Sequence, residues 1–261
     1  MCGINGLIYK NNLPPVEEIA RMNTSIIHRG PDDDGILAFE NMLFGHVRLS
    51  IQDLSIKGRQ PMSVDGKYWI IFNGEIYNFK DIRLELSSKG YKFYSDTDTE
   101  VILNAYKEWG VESFKKFNGM WCFAILDKEK KEVLISRDRY GIKPCYFSKK
   151  NNKITFSSEI KGILSSNAEY KFDNKKFLLA DKFKERCFTT EYEDIDIIQP
   201  GFYYRINIQN LEIEKKRWWD GLNNIPKIEV SKKKIIEDLK NKLNYAVKLR
   251  LISDTKIATS L

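Results

Sequence analysis

The 261-residue sequence is poor in metal-binding and disulfide-forming side chains, with two His and four Cys. The cysteines stand at positions 2, 122, 145 and 187, without a CxxC pair or zinc-ligand spacing. No metal site is therefore expected, and free thiols in a reducing, cytoplasmic setting are. No uninterrupted apolar run approaches the ~20 residues that span a bilayer, so no membrane association is expected. The start, Met1-Cys2-Gly3-Ile4-Asn5, has no basic n-region and no long apolar stretch, which argues against a secretory leader. Internal repeats and low-complexity segments are also lacking. What is present is a hydrophobic fraction of 42% with 13% aromatics, enough for a real core and too much for global disorder.

The net charge of +7 is unevenly placed. Residues 211–261 hold 12 basic and 7 acidic residues, whereas residues 1–210 hold 31 and 29. Lysines on the solvent face of a helix explain this tail better than a nucleic-acid surface does.

Short strands dominate the first two hundred residues. Expected segments are Cys2–Tyr9, the pair Ile36–Phe39 and Met42–Val47, and Tyr68–Phe72. Hairpins follow at Met120–Leu126 with Val133–Ser136, at Cys145–Ser148 with Ile154–Ser157, and at Gly201–Ile206 with Leu211–Glu214. Runs apolar on both faces predict stacked sheets. Helices are expected over Phe79–Lys89 (Asn78 as cap, Gly90 as stop), Glu159–Leu164 and Asn174–Phe183 behind Asp173. Thr97-Asp98-Thr99-Glu100 fits a capping box before a helix ended by Gly110. After a linker at Gly221–Lys227, Ser231 caps a long helix with the apolar stripe Ile235, Ile236, Leu239, Leu243, Ala246, Val247 and Leu251. Thr255–Leu261 reads as a further strand.

Cys2 carries the most chemical information. Were Met1 trimmed, its thiol and its own α-amine would share one residue. An α-amine titrates near ~7.7–8.0, so it can take the thiol proton near neutral pH; the alternative is a buried Cys opening a strand. Asn73-Gly74 after a strand is either a hairpin turn or an oxyanion hole of one side-chain and one backbone N–H. Arg48 is either a surface cation or a fork for a carboxylate. Asp98 complements a helix dipole or binds an ammonium, and Glu75 is ambiguous in the same way. His28 in the loop His28–Asp32 reads as structural, and Arg137-Asp138-Arg139 as an ion-paired turn.

Taken together, Met1–Ile4, His28–Asp32, Arg48–Ser55, Arg59–Met62, Phe72–Asn78, Ser95–Val101, Gly119–Asp127 and Arg137–Pro144 resemble the glutaminase domain of class II glutamine amidotransferases, in its asparagine synthetase (glutamine-hydrolysing) branch. Ser157–Gly162 and Gln199–Gly201 fit as well, and the resemblance runs in order over residues 1–220. It implies an α+β fold, a four-layer αββα N-terminal-nucleophile sandwich of two stacked, mostly antiparallel sheets. It implies Cys2 as nucleophile on the glutamine side-chain amide after loss of Met1, its α-amine as proton shuttle, and Asn73 with Gly74 as oxyanion hole. Arg48 resembles the residue binding the α-carboxylate and Asp98 the one binding the α-ammonium, while Glu75 and the main chain of Leu49, Ile51 and Gln52 line the pocket. The products are ammonia and, after hydrolysis of a γ-glutamyl thioester, glutamate, with no metal or organic cofactor for this half. Cys145 departs from the family's usual Leu and bears on packing.

The resemblance further implies that residues 221–261 are the linker, helix and first strand of an α/β synthetase domain truncated before its pyrophosphate loop. ATP and Mg are expected in that missing part. The expected partners are L-glutamine, the rest of the synthetase domain and, left open, a second copy of the chain. Alternatives are a family member acting on a sugar acid or peptide carboxylate, glucosamine-phosphate or phosphoribosylamine synthesis, a non-catalytic basic interaction module, and an aggregation-prone fragment.

Overall fold

The computed structural model describes residues 1–175, 177, 190–221, 231–256 and 258. Within them the chain builds a six-stranded sheet in the order β2-β3-β1-β8-β7-β9 and a five-stranded sheet in the order β11-β10-β6-β5-β4. The first contains β1 (Gly3–Tyr9), β2 (Asp33–Phe39), β3 (Met42–Arg48), β7 (Tyr146–Lys150), β8 (Lys153–Ser157) and β9 (Asp196–Ile197). The second contains β4 (Tyr68–Ile76), β5 (Gly119–Asp127), β6 (Glu132–Arg137), β10 (Phe202–Asn207) and β11 (Ile213–Arg217). Every strand pair is antiparallel.

Three apolar clusters define four layers. Ile4 and Ile8 of β1, Phe44 of β3, Ile71 of β4 and Ala124 of β5 meet between the sheets. The outer face of the second sheet packs Ile70, Phe72 and Phe123 against α2 (Phe79–Ser88) and α3 (Asp98–Trp109). The outer face of the first packs Leu7 and Leu43 against Ile19 and Met22 of α1 (Val16–Ser25). Alternate side chains of β1 thus feed different cores, which is why the strand is buried on both faces. The αββα sandwich expected from the sequence is the fold observed.

Most expected elements appear, with instructive differences. The Asn73-Gly74 pair does not turn: β4 runs through it, pairing Asn73 with Cys122 and Gly74 with Trp121. The tight turns lie elsewhere, at Glu40-Asn41 between β2 and β3 and at Asn151-Asn152 between β7 and β8, where Glu40, Asn151 and Asn152 take positive φ. Thr97 caps α3 by accepting from Glu100 N (3.2 Å). The return half of the expected capping box is rerouted, because the Glu100 carboxylate accepts from Tyr94 and Ser95 N–H instead. Asn78 does not cap α2; it bridges to Lys116 O and Asn118 N. Helix α1 was absent from the expected set, although Pro14-Pro15 before Val16, Ile19 and Met22 at helical spacing was its signal.

Two short helices complete the described core, α4 (Ser113–Lys116) and α5 (Ile160–Leu164). Helix α6 (Lys232–Leu249) starts where Ser231 Oγ accepts from Lys234 N. Most of the expected Asn174–Phe183 helix, the linker beyond Gly221, Cys187 and most of Thr255–Leu261 lie outside the described residues; Thr255, Lys256 and Ala258 carry no strand.

Candidate active site

Strand alternation builds the site. Ile4 of β1, Phe44 of β3 and Ile71 of β4 point between the sheets. The same two-residue period continues those inward rows to Cys2, Arg48, Asn73 and Glu75, past one end of the apolar core. The β1–β3 register, Gly3 opposite Val47, sets Cys2 beside Arg48. At this end lies a cavity lined by Cys2, Arg48, Asn73, Gly74, Glu75 and Asp98. Leu49, Ile51 and Gln52, from the loop after β3, line it too. The residues that the family resemblance marks as nucleophile, oxyanion hole and pocket wall therefore meet in one place.

The Cys2 sulfur lies 3.6 Å from Leu49 O and 3.4 Å from Leu49 N. Burial raises the thiol pKa above its ordinary value, outweighing the Leu49 N–H bond that favours the thiolate. At neutral pH the group is a thiol and needs a proton acceptor before it can attack. Burial, aided by the Arg29 and Lys143 cations, holds the Met1 α-amine below its ordinary value. An amine so placed is more fully in its free-base form. Arg29 fixes the backbone here, donating to Cys2 O (3.0 Å) and to Glu159 (2.9 Å).

The same cavity holds unanswered donors. Asn73 is fully buried, yet neither its side-chain oxygen nor its nitrogen has a partner. Such an orphaned amide is uncommon and calls for a ligand or a water. The backbone supplies a second donor. Tyr77 N bonds to Asn118 O, so odd-numbered N–H groups of this stretch face β5 and even-numbered ones face the outer edge. On that edge Ile70 N reaches Met62 O (2.9 Å), Phe72 N reaches Gln60 Oε1 (2.7 Å) and Ile76 N reaches Asp98 Oδ2 (2.9 Å). Gly74 N–H belongs to the same row, and no acceptor among the described residues meets it. A Cβ at Gly74 would lie 2.2 Å from Met120 O, so glycine is required for β4 and β5 to approach.

The charged walls are also uncompensated. Arg48, 6% exposed, donates to Ser55 O (3.0 Å) and Asp53 O (2.5 Å). Those bonds fix the guanidinium but leave its charge without a salt bridge among the described residues. Asp98, equally buried, has its pKa pushed up to about 7 by burial, with the Glu75 charge adding to the rise. Glu75 is itself raised by burial, against the pull of Lys143 and Arg250. A ligand carrying both a carboxylate and an ammonium would answer both unpaired charges.

Sequence reasoning missed several wall residues. Gly58 passes so close to the Arg48 fork that a Cβ would sit 2.1 Å from its Nη2. Gln60 joins Phe72 N to Thr99 Oγ1, and buried Lys143 lies against Met1 Sδ at 2.8 Å. His28 lies apart from this cavity and pairs with Glu159 at the surface (2.9 Å), as a structural reading of it requires. The expected ion-paired turn at Arg137–Arg139 is corrected. Arg137 donates to the carbonyls of Gly141, Lys143 and Ile198, Arg139 to those of Lys115 and Phe117, and Asp138 accepts four backbone N–H groups. The reason is burial: main-chain groups of this inner loop need partners more than the side chains need one another. Among the described residues no group of three or more His, Cys, Asp or Glu gathers as a metal site.

A cysteine beside the chain start thus shares one cavity, at the end of an αββα sandwich, with a side-chain amide that has no partner among the described residues. Residues 1–219 match the family model described as "Glutamine amidotransferase domain", and the chain belongs to that family. It is 34% identical to asparagine synthetase [glutamine-hydrolyzing] 1 of Bacillus subtilis, covering all of this chain and 42% of that one. It is 32% identical to amidase chry2 of Gibberella zeae over 94% of this chain and 37% of that one. Among solved structures, glutamine phosphoribosylpyrophosphate amidotransferase of B. subtilis shares the fold, with a TM-score of 0.63 at 18% identity over 84% of this chain and 49% of that one. The chain spans about half the length of the curated relatives it matches.

Proposed function

We propose that the domain hydrolyses the side-chain amide of L-glutamine through a thioester on Cys2, and that the ammonia feeds an ATP-dependent amide synthesis in a longer protein. The carrying observation is the buried Asn73 amide without a partner, in the same cavity as the thiol.

Removal of Met1 exposes the α-amine of Cys2, which takes the thiol proton. The sulfur then attacks the amide carbon, and the carbonyl oxygen becomes an oxyanion held by Asn73 Nδ2 and Gly74 N–H. Collapse of this tetrahedral species breaks the C–N bond, the amine returns its proton to the departing nitrogen, and ammonia leaves. Water, deprotonated by the same amine, attacks the thioester; glutamate leaves and the thiol is restored. Arg48 grips the substrate α-carboxylate and Asp98 its α-ammonium, with Glu75 and the main chain of Leu49, Ile51 and Gln52 completing the wall.

Residues 1–220 form the glutaminase domain on this reading, and 221–261 begin the synthetase domain. Helix α6 suits that role, because Ile235, Ile236, Leu239 and Leu243 are 50%, 58%, 55% and 57% exposed, a stripe that needs a neighbour. ATP and Mg belong to the remainder. Aspartate is the acceptor best matched to the relatives named asparagine synthetases. Free thiols at Cys122 and Cys145 suit a reducing, cytoplasmic setting.

The Cys2→Ala variant is expected to lose glutamate release from glutamine while keeping its circular dichroism spectrum and melting temperature. Glutamine turnover by a folded Cys2→Ala variant overturns the mechanism.

A further inference from the structure

Asp53 lies one residue beyond the pocket-lining loop positions, and its contacts reach three separate parts of the molecule. Its backbone carbonyl takes one donor of the Arg48 fork (2.5 Å). Its side-chain Oδ1 accepts from Ser55 N (3.1 Å) and Ser55 Oγ (2.5 Å), closing the turn whose Ser55 O takes the other Arg48 donor. Its Oδ2 accepts from Asp96 N (2.9 Å), two residues before Asp98 opens α3. Its own N–H donates to Asp254 Oδ2 (2.8 Å), while Asp254 N donates back to Ile51 O (3.0 Å).

The local backbone makes this arrangement deliberate. Asp53 has φ +50, the left-handed region that a non-glycine residue adopts at a cost. The Ser55 bonds hold it there. Burial raises its carboxyl pKa, but the bonds from Ser55 and Asp96 win and keep it below the ordinary carboxylate range, so it is a full acceptor at neutral pH. The segment bearing Asp254 is anchored independently: the Arg250 guanidinium stacks on the Tyr77 ring at 4.7 Å, and Ile252 packs on the core beneath α2 and α3.

We propose that Asp53 is a positioning residue that sets the separation of Arg48 and Asp98, and that Asp254 braces it from the segment after α6. The inference rests on the reading of these two residues as the grips for the α-carboxylate and α-ammonium of glutamine. A substrate held at both ends is recognised only if the two grips stand at the right distance. One carboxylate spans them: Oδ1 shapes the turn that aims Arg48, and Oδ2 ties that turn to the loop leading into Asp98. Asp53 itself does not line the cavity, so it acts through the grips and not on the substrate.

The test uses Asp53→Asn in the full chain. The amide oxygen still accepts from Ser55, so the turn survives, but the amide N–H₂ now faces Asp96 N–H, and the tie to α3 is lost. Turnover is compared for L-glutamine, for glutaric acid monoamide, which lacks the ammonium, and for 4-aminobutanamide, which lacks the carboxylate. Loss of one hydrogen bond to a charged group predicts a rise of about tenfold in glutamine KM, with kcat changed far less. The preference for glutamine over each truncated amide should fall by a similar factor. Asp254→Ala should shift both quantities in the same direction by less, with an unchanged melting temperature. An unchanged glutamine KM in Asp53→Asn, or an equal loss of kcat on all three amides, overturns the inference. A wild-type chain, freed of Met1, that turns over none of them overturns the underlying reading instead.

Discussion

Strand β1 has a polar cluster at each end, and the two are opposites. At the Tyr9 end, Glu18 is fully buried and fully answered: it accepts from Lys153 Nζ, from Tyr9 OH (2.5 Å), and from Asn167 N (2.8 Å) and Nδ2 (3.2 Å). At the Cys2 end, Asn73 has no partner, Asp98 has no cation and Arg48 has no anion among the described residues. Burial is similar; satisfaction is not. A satisfied buried network holds a fold together, whereas an unsatisfied one is preorganised for something that arrives from outside.

The sharpest way to break this contrast is to cripple each end in turn. Glu18→Ala leaves the Lys153 ammonium buried without its carboxylate, which costs about 3–5 kcal/mol. Urea unfolding should register that loss, while glutamine KM stays at the wild-type value; a stable variant would mean the cluster is not structural. Asn73→Ala should do the reverse. Removing an oxyanion donor costs about 10²–10³ in rate, and no folded-state partner is lost, so stability should hold. A Asn73→Ala variant that turns over normally would remove the orphaned amide from the mechanism.

The smallest effect belongs to Asp98, and it depends on pH. Its carboxyl is raised to about 7 in the folded chain from an ordinary value of 3.8. Between those values the folded state holds a proton that the unfolded state has released, so stability falls as pH rises through this window. Asp98→Asn removes the penalty and should raise the melting temperature more at pH 8 than at pH 5, while weakening glutamine binding. In the wild type, glutamine KM should fall as pH rises through 7 and the carboxylate forms. A stability gain independent of pH would contradict the buried, unpaired carboxylate.

Taken singly, the site residues left their roles open, and it was the family resemblance that gathered them into one set; the fold brings that set around one cavity. Cys2 precedes an apolar strand, Arg48 closes one, and Asp98 follows a helix cap. Asn73-Gly74 was misleading as structure, since the same dipeptide that favours a turn here continues β4, where the close approach of Met120 O leaves no room for a side chain at Gly74. Gly58, Gln60 and Lys143 were not legible. Their roles come from contacts with Arg48, Phe72 and Met1 that only the folded chain brings together. Helix α1 differs: Val16, Ile19 and Met22 kept helical spacing behind Pro14-Pro15, but only the fold shows Leu7 and Leu43 receiving Ile19 and Met22.

The outer edge of β4 is where a sheet would normally recruit another strand. Open edges are templates for intermolecular pairing, and proteins blunt them. On β4 the blunting is done by a Met62 carbonyl, a Gln60 amide and the Asp98 carboxylate, while the Gly74 N–H meets no acceptor among the described residues. A single N–H is too short a stretch for a second chain to zip onto, yet it suits a single oxygen atom. The contacts that guard this edge against aggregation are thus the same ones that leave room for one small acceptor.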